Sequence, residues 1–189
     1  MKKTKPDPFA ASVPDPKLFR APLDFIAAEH ERQLLACDRL KQHAEDIVEG
    51  RGAPNAAAVL GFLMKDLPLH TADEEKSLFP LLRKRCRPED NIEQALDQLH
   101  SEHALDGDVA EFIVSDLAVI AKGAALPNPT HLAINLRNFA ELHRRHVAWE
   151  NATVLPLAHR RLTEADSIGL GRAMADRRGL NYPERGGKK

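Results

Sequence analysis

Apolar residues recur along this chain at intervals of three and four, the spacing of one helix face. Leu23, Ile26, His30, Leu34 and Cys37 share one such stripe, and Gly50 and Gly52 close it. Pro54 and Asn55 open a second helix, whose stripe runs through Leu60, Leu63, Leu67, His70, Glu74, Leu78 and Leu81. Pro68 and Pro80 fall inside it, and each predicts a kink or a new segment. Pro88, Glu89 and Asp90 place a proline and two acids where a third helix should start. Its stripe is Ile92, Leu96, Leu99, His103, Ala110, Val114 and Leu117. A loop follows from Gly123 to Pro129. A fourth helix then carries Leu132, Leu136, Phe139, Leu142, His146, Trp149, Glu150 and Thr153. Thr163 and Asp166 form a capping signal for a short fifth helix that ends near Gly179. No strand alternation of useful length is present. The pattern predicts an all-α, up-down antiparallel four-helix bundle with a short fifth C-terminal helix. The expected organisation is an extended, proline-rich arm over residues 1–20, the bundle over 21–160, and a short helix with a flexible tail over 161–189.

Composition narrows the function. The 189 residues suit one domain, and 43% hydrophobic with 29% charged residues fits a globular chain. A formal net charge of −1 argues against nucleic acid as a partner. No apolar run approaches the roughly 20 residues of a membrane span. No apolar segment follows the N-terminal lysines as in a signal peptide. Cys37 and Cys86 are too few for a disulfide framework, so a cytoplasmic location is expected.

The chemistry lies in an internal repeat. His70, Ala72, Glu74, Pro80 and Leu81 have counterparts at the same offsets in His146, Ala148, Glu150, Pro156 and Leu157. Four residues turn a helix by about 400°, so each His and Glu share a face one turn apart. Upstream of each copy stands another Glu-His pair, Glu29-His30 and Glu102-His103. The chain therefore reads as two helical hairpins, each bringing two histidines and one glutamate to the same core.

All six side chains lie on the apolar stripes. An unpartnered buried carboxylate costs several kcal/mol even after relaxation, so two such carboxylates with four imidazoles make no sense as packing alone. Two divalent cations resolve the conflict. Mixed imidazole and carboxylate donors suit iron or manganese better than metals that prefer sulfur. His100 and His143, each three residues before a candidate ligand, are possible additions. Glu75 reads as a solvated or supporting acid, Trp149 as a pocket wall or ordinary packing, and His43 as a surface residue.

These motifs resemble the hemerythrin family, in its bacterial HHE cation-binding branch. The resemblance rests on Glu29-His30, His70 to Pro80 with Glu74 and Glu75, Ser101-Glu102-His103, and His146 to Pro156 with Glu150 and Asn151. The stretch from Ala175 to Gly179 is similar to the tail that follows the domain in some bacterial members. The resemblance implies a non-haem pair of iron ions with an oxo or hydroxo bridge. His30 and His70 would bind one iron, His103 and His146 the other, and Glu74 and Glu150 would bridge. The oxygen-carrying members have a fifth histidine four residues from the one matching His103. Here those positions hold Leu99 and Gly107.

The expected function is binding or sensing of a small ligand: dioxygen, nitric oxide or peroxide. The alternatives are a di-iron reductase of nitric oxide or peroxide, an iron-donating repair protein, or a structural module stabilised by its metal. Repair members carry a cysteine-containing N-terminal domain, and the arm here lacks cysteine.

Overall fold

The computed structural model describes residues 15–53 and 56–183. The remainder of the expected arm, residues 1–14, lies outside them, as do Pro54, Asn55 and residues 184–189. Among the described residues the chain is all helical, with no strand. A short 3-10 turn over Pro16–Arg20 leads into helix α1, Pro22–Val48. Helix α2 occupies 56–85, α3 is Glu93–Ala121, α4 occupies 129–161, and α5 is Glu164–Arg177. None of them is long and apolar enough to cross a membrane.

Local sequence explains most boundaries. Asn128 caps α4 by accepting from the His131 amide at 3.1 Å, with Pro129 at the first helical position. Thr163 and Asp166 make the reciprocal box expected at the start of α5. The prolines behave differently from expectation. The helices run on through them by widening into a π turn over Phe62–Asp66, Glu74–Leu78 and Val154's own turn, Glu150–Val154. Each wide turn ends two residues before a proline: Pro68, Pro80 and Pro156 respectively. A regular helix would press the proline ring against the carbonyl one turn back; one extra residue in the turn relieves that contact.

Two apolar clusters fill the bundle. One joins α1 to α4 around Leu40, Phe62, Ile113, Leu136 and Phe139. The other gathers Phe25, Ile26, Leu78, Leu82, Leu96 and Leu99 with Phe19 of the 3-10 turn and Met174 of α5. His30, His70, Glu74, His103, His146 and Glu150 belong to neither and lie between them along the four helices. The short turn at Phe19 thus contributes to the core, although it falls within the expected arm. Leu180 and Tyr182, in the expected tail, also pack against this cluster.

His43 is buried, not on the surface. It neighbours Leu40, Ala44 and Ile47 where the first apolar cluster wraps around α1, so the buried face there is broader than the stripe through His30. Helix α5 comes so close to Phe19 that a Cβ on Gly171 would stand 1.9 Å from the Phe19 carbonyl oxygen. Only glycine permits that approach.

Candidate metal centre

The repeat places its two glutamates at the first residue of a wide turn. The amide of Phe79 donates to the Glu74 carbonyl, and that of Leu155 donates to the Glu150 carbonyl. The proline six residues on therefore fixes the backbone at the carboxylate. One turn earlier on the same face stand His70 and His146, and α1 and α3 supply His30 and His103 from the opposite side.

All six sequence-predicted residues converge. Glu74 Oε2 lies 3.3 Å from His70 Nε2 and 3.3 Å from His103 Nε2, while its Oε1 lies 3.5 Å from His30 Nε2. Glu150 Oε1 lies 3.2 Å from His146 Nε2 and 4.0 Å from His103 Nε2, and its Oε2 lies 3.3 Å from His30 Nε2. The donors divide into two sets of four, His30, His70, Glu74, Glu150 and Glu74, His103, His146, Glu150. Within each set the atoms lie within 4.8 Å of one another, and both carboxylates are shared.

None of the four Nε2 atoms or four carboxylate oxygens has a hydrogen-bond partner, although all eight are buried. Buried polar atoms are otherwise nearly always paired. Donors about 2.1 Å from a common cation stand about 3 Å apart when bonded at right angles. The spacings here are close to that, and the nitrogen and oxygen donor set without sulfur fits a first-row divalent ion. The residues therefore fit a metal centre.

The outer ring nitrogens are held. His103 Nδ1 lies 2.7 Å from Glu75 Oε1, and His146 Nδ1 lies 2.9 Å from Glu102 Oε2. His30 Nδ1 lies 2.7 Å from Asn151 Oδ1. A carboxylate that accepts from Nδ1 holds the proton there, so in the neutral ring Glu75 and Glu102 leave the Nε2 lone pair facing inward. Glu75 and Asn151 occupy the same offset in the repeat. Each follows a core glutamate and supports the lone histidine of the other hairpin. That shared polar offset was the signal by which the sequence marked them.

His100 and His143 join the surroundings and not the donor sets. His100 is exposed and shares Glu75 at 3.0 Å. His143 is buried, but Asp106 Oδ2 at 2.7 Å and Gln33 Oε1 at 2.8 Å engage both of its ring nitrogens. It stacks on His146 with ring centroids 5.8 Å apart. A cavity of about 610 Å³ opens between α2 and α3, walled by Leu63, Leu67, Ala110 and Val114, and it reaches His103, Asp106 and His143. Trp149 packs on the second apolar cluster.

The electrostatics follow from the crowding. Burial pulls the His30 imidazole down, but Glu150 and Glu74 outweigh it and raise its pKa to about 10. His146 is raised to about 9, with burial again outweighed by Glu150. Burial depresses His70 to about 3. Glu74 is held well below the usual carboxylate range: burial opposes this, and the histidines around it prevail.

A further support escaped the sequence reading. Asp73, fully buried beside Glu74, lies 2.8 Å from Arg177 Nη1 and 2.7 Å from Arg178 Nη1. Arg177 also contacts Ser77 within the wide turn. Helix α5 thus clamps the turn that carries Glu74, which accounts for the arginine pair before Gly179. A family model described as the hemerythrin HHE cation binding domain matches residues 21–158. No curated protein and no solved structure matches the chain.

Proposed function

Since this chain belongs to the hemerythrin HHE cation-binding family, we propose that it holds two iron ions and uses them to bind or sense dioxygen, nitric oxide or peroxide. His30 and His70 hold one ion, His103 and His146 the other, and Glu74 and Glu150 bridge. The observation that carries this reading is the set of eight buried donor atoms, converging and without hydrogen-bond partners. When bound, the pair supplies a redox-active centre for a small ligand.

The chain's own residues shape what reaches that centre. The two apolar clusters above and below exclude bulk water. The cavity between α2 and α3 offers a path that ends at His103. Glu75, Glu102 and Asn151 hold the imidazoles in the binding orientation. With His100 and His143 engaged elsewhere, the protein supplies four imidazoles and two carboxylates, which leaves coordination for an external ligand.

Metal analysis and the visible spectrum of protein loaded with ferrous ion test the proposal. Two irons per chain and a spectrum that changes reversibly between air and deoxygenated buffer, or on adding nitric oxide or peroxide, are expected. Consumption of nitric oxide or peroxide over many turnovers would instead establish a reductase. Metal held with no spectral response to any of the three would leave only a structural role.

A further inference from the structure

The two hairpins repeat in sequence, yet the side chains behind their imidazoles differ. In the His103–His146 half, both outer ring nitrogens meet a carboxylate: Glu75 at 2.7 Å and Glu102 at 2.9 Å. Gln98 donates to the other oxygen of Glu102 at 2.8 Å and steadies it. In the His30–His70 half, His30 meets only the neutral amide of Asn151 at 2.7 Å.

The remaining counterpart, Glu29, corresponds to Glu102 in the repeat but is drawn away. Arg32 pairs with it at 2.8 Å and with Asp66 at 2.7 Å. The equivalent of Arg32 in the second hairpin is Leu105, which leaves Glu102 free to reach His146. Among the described residues, the one carboxylate paired with His70 is Glu74, on its inner nitrogen. Two substitutions between the repeats, Glu75 against Asn151 and Arg32 against Leu105, thus place both supporting carboxylates in the same half.

A carboxylate on the outer nitrogen makes an imidazole a more basic ligand, and its loss costs about 10–100-fold in metal affinity. We infer that the centre fills in a fixed order: a first divalent cation enters the His103–His146 half, and a second enters the His30–His70 half. The shared carboxylates do not bias this order, because Glu74 and Glu150 belong to both donor sets. The inference rests on the two-ion reading above.

Anaerobic titration of the full-length metal-free chain with cobalt(II), followed by absorbance and calorimetry, tests it. Any pair of neighbouring cations binds in two steps, so the variants decide the order. Glu102→Gln should weaken the first step about 10–100-fold and leave the second nearly unchanged. Asn151→Asp should tighten the second step and leave the first. His70→Ala should retain one cation at the wild-type first-step affinity, whereas His146→Ala should lose that step. Circular dichroism of each metal-free variant confirms the helical fold before titration. If Glu102→Gln weakens only the second step, or neither, the order is wrong although two ions bind. Fewer than two cobalt ions in the wild-type chain would overturn the two-ion reading itself.

Discussion

Replacing Glu150 with alanine should uncouple the fold from metal. Glu150 presents one oxygen to His30 and the other to His146 and His103, so its loss removes a donor from both sets at once. A ligand that binds only the folded state stabilises it by about 2.7 kcal/mol at a free concentration one hundred times its Kd. Two cations at that saturation contribute about 5 kcal/mol. For a chain of this size each kcal/mol moves Tm by about 2–4 °C, so metal should raise the wild-type Tm by about 10–20 °C. In Glu150→Ala the rise should fall to less than half, and bound metal should drop from two ions per chain to one or none. The metal-free variant isolates the effect, because its Tm already contains the loss of the carboxylate beside His30 and His146. Thermal scans with and without ferrous ion under nitrogen, paired with metal analysis of desalted protein, measure both quantities. His159→Ala, an exposed histidine away from the donor sets, serves as the control. An equal metal-induced rise in Glu150→Ala and wild type, with two ions retained, would refute the bridging role.

Other outcomes follow from the same geometry. Metal-free protein should be most stable near pH 6.5. His30 and His146 are raised to about 10 and about 9, so their contribution is full below about pH 6.5 and lost as pH climbs through those values. His70, depressed to about 3, contributes above about pH 6.5 and loses that as pH falls; urea midpoints across this range should trace the peak. Cation uptake near pH 7.5 should release protons, chiefly from His30 and His146, seen as a dependence of calorimetric heat on buffer ionisation. Asp73→Ala leaves the half-buried Arg177 and Arg178 without their shared carboxylate and should cost about 1–3 kcal/mol in urea unfolding. A cost under 1 kcal/mol would show that α5 does not clamp the Glu74 turn. Gly171→Ala forces α5 away from the Phe19 carbonyl and should cost at least about 1–3 kcal/mol, whereas the open Gly169 tolerates alanine.

The sequence alone determined the helices and the inner donors. A period of 3.6 residues assigns each side chain to a face, so the stripes marked the core. The repeated His and Glu offsets then put six polar groups where polar groups are unfavourable. Those inferences need only one helix at a time, and the cap at Thr163 was legible for the same reason. Periodicity does not say which neighbouring helix a face meets, or how far apart the axes lie. Tertiary packing therefore decided that Glu75 reaches across to His103 and Asn151 to His30. It decided that Arg32 diverts Glu29, and that His143 spends both nitrogens on Asp106 and Gln33. It buried His43, because the first apolar cluster covers a broader face of α1 than the stripe predicts. The prolines also needed the fold: locally each one breaks a helix, and only the packing on either side holds the axis together so that the chain widens into a π turn. The arginines near Gly179 meet Asp73 only because α5 folds back against the turn that carries Glu74.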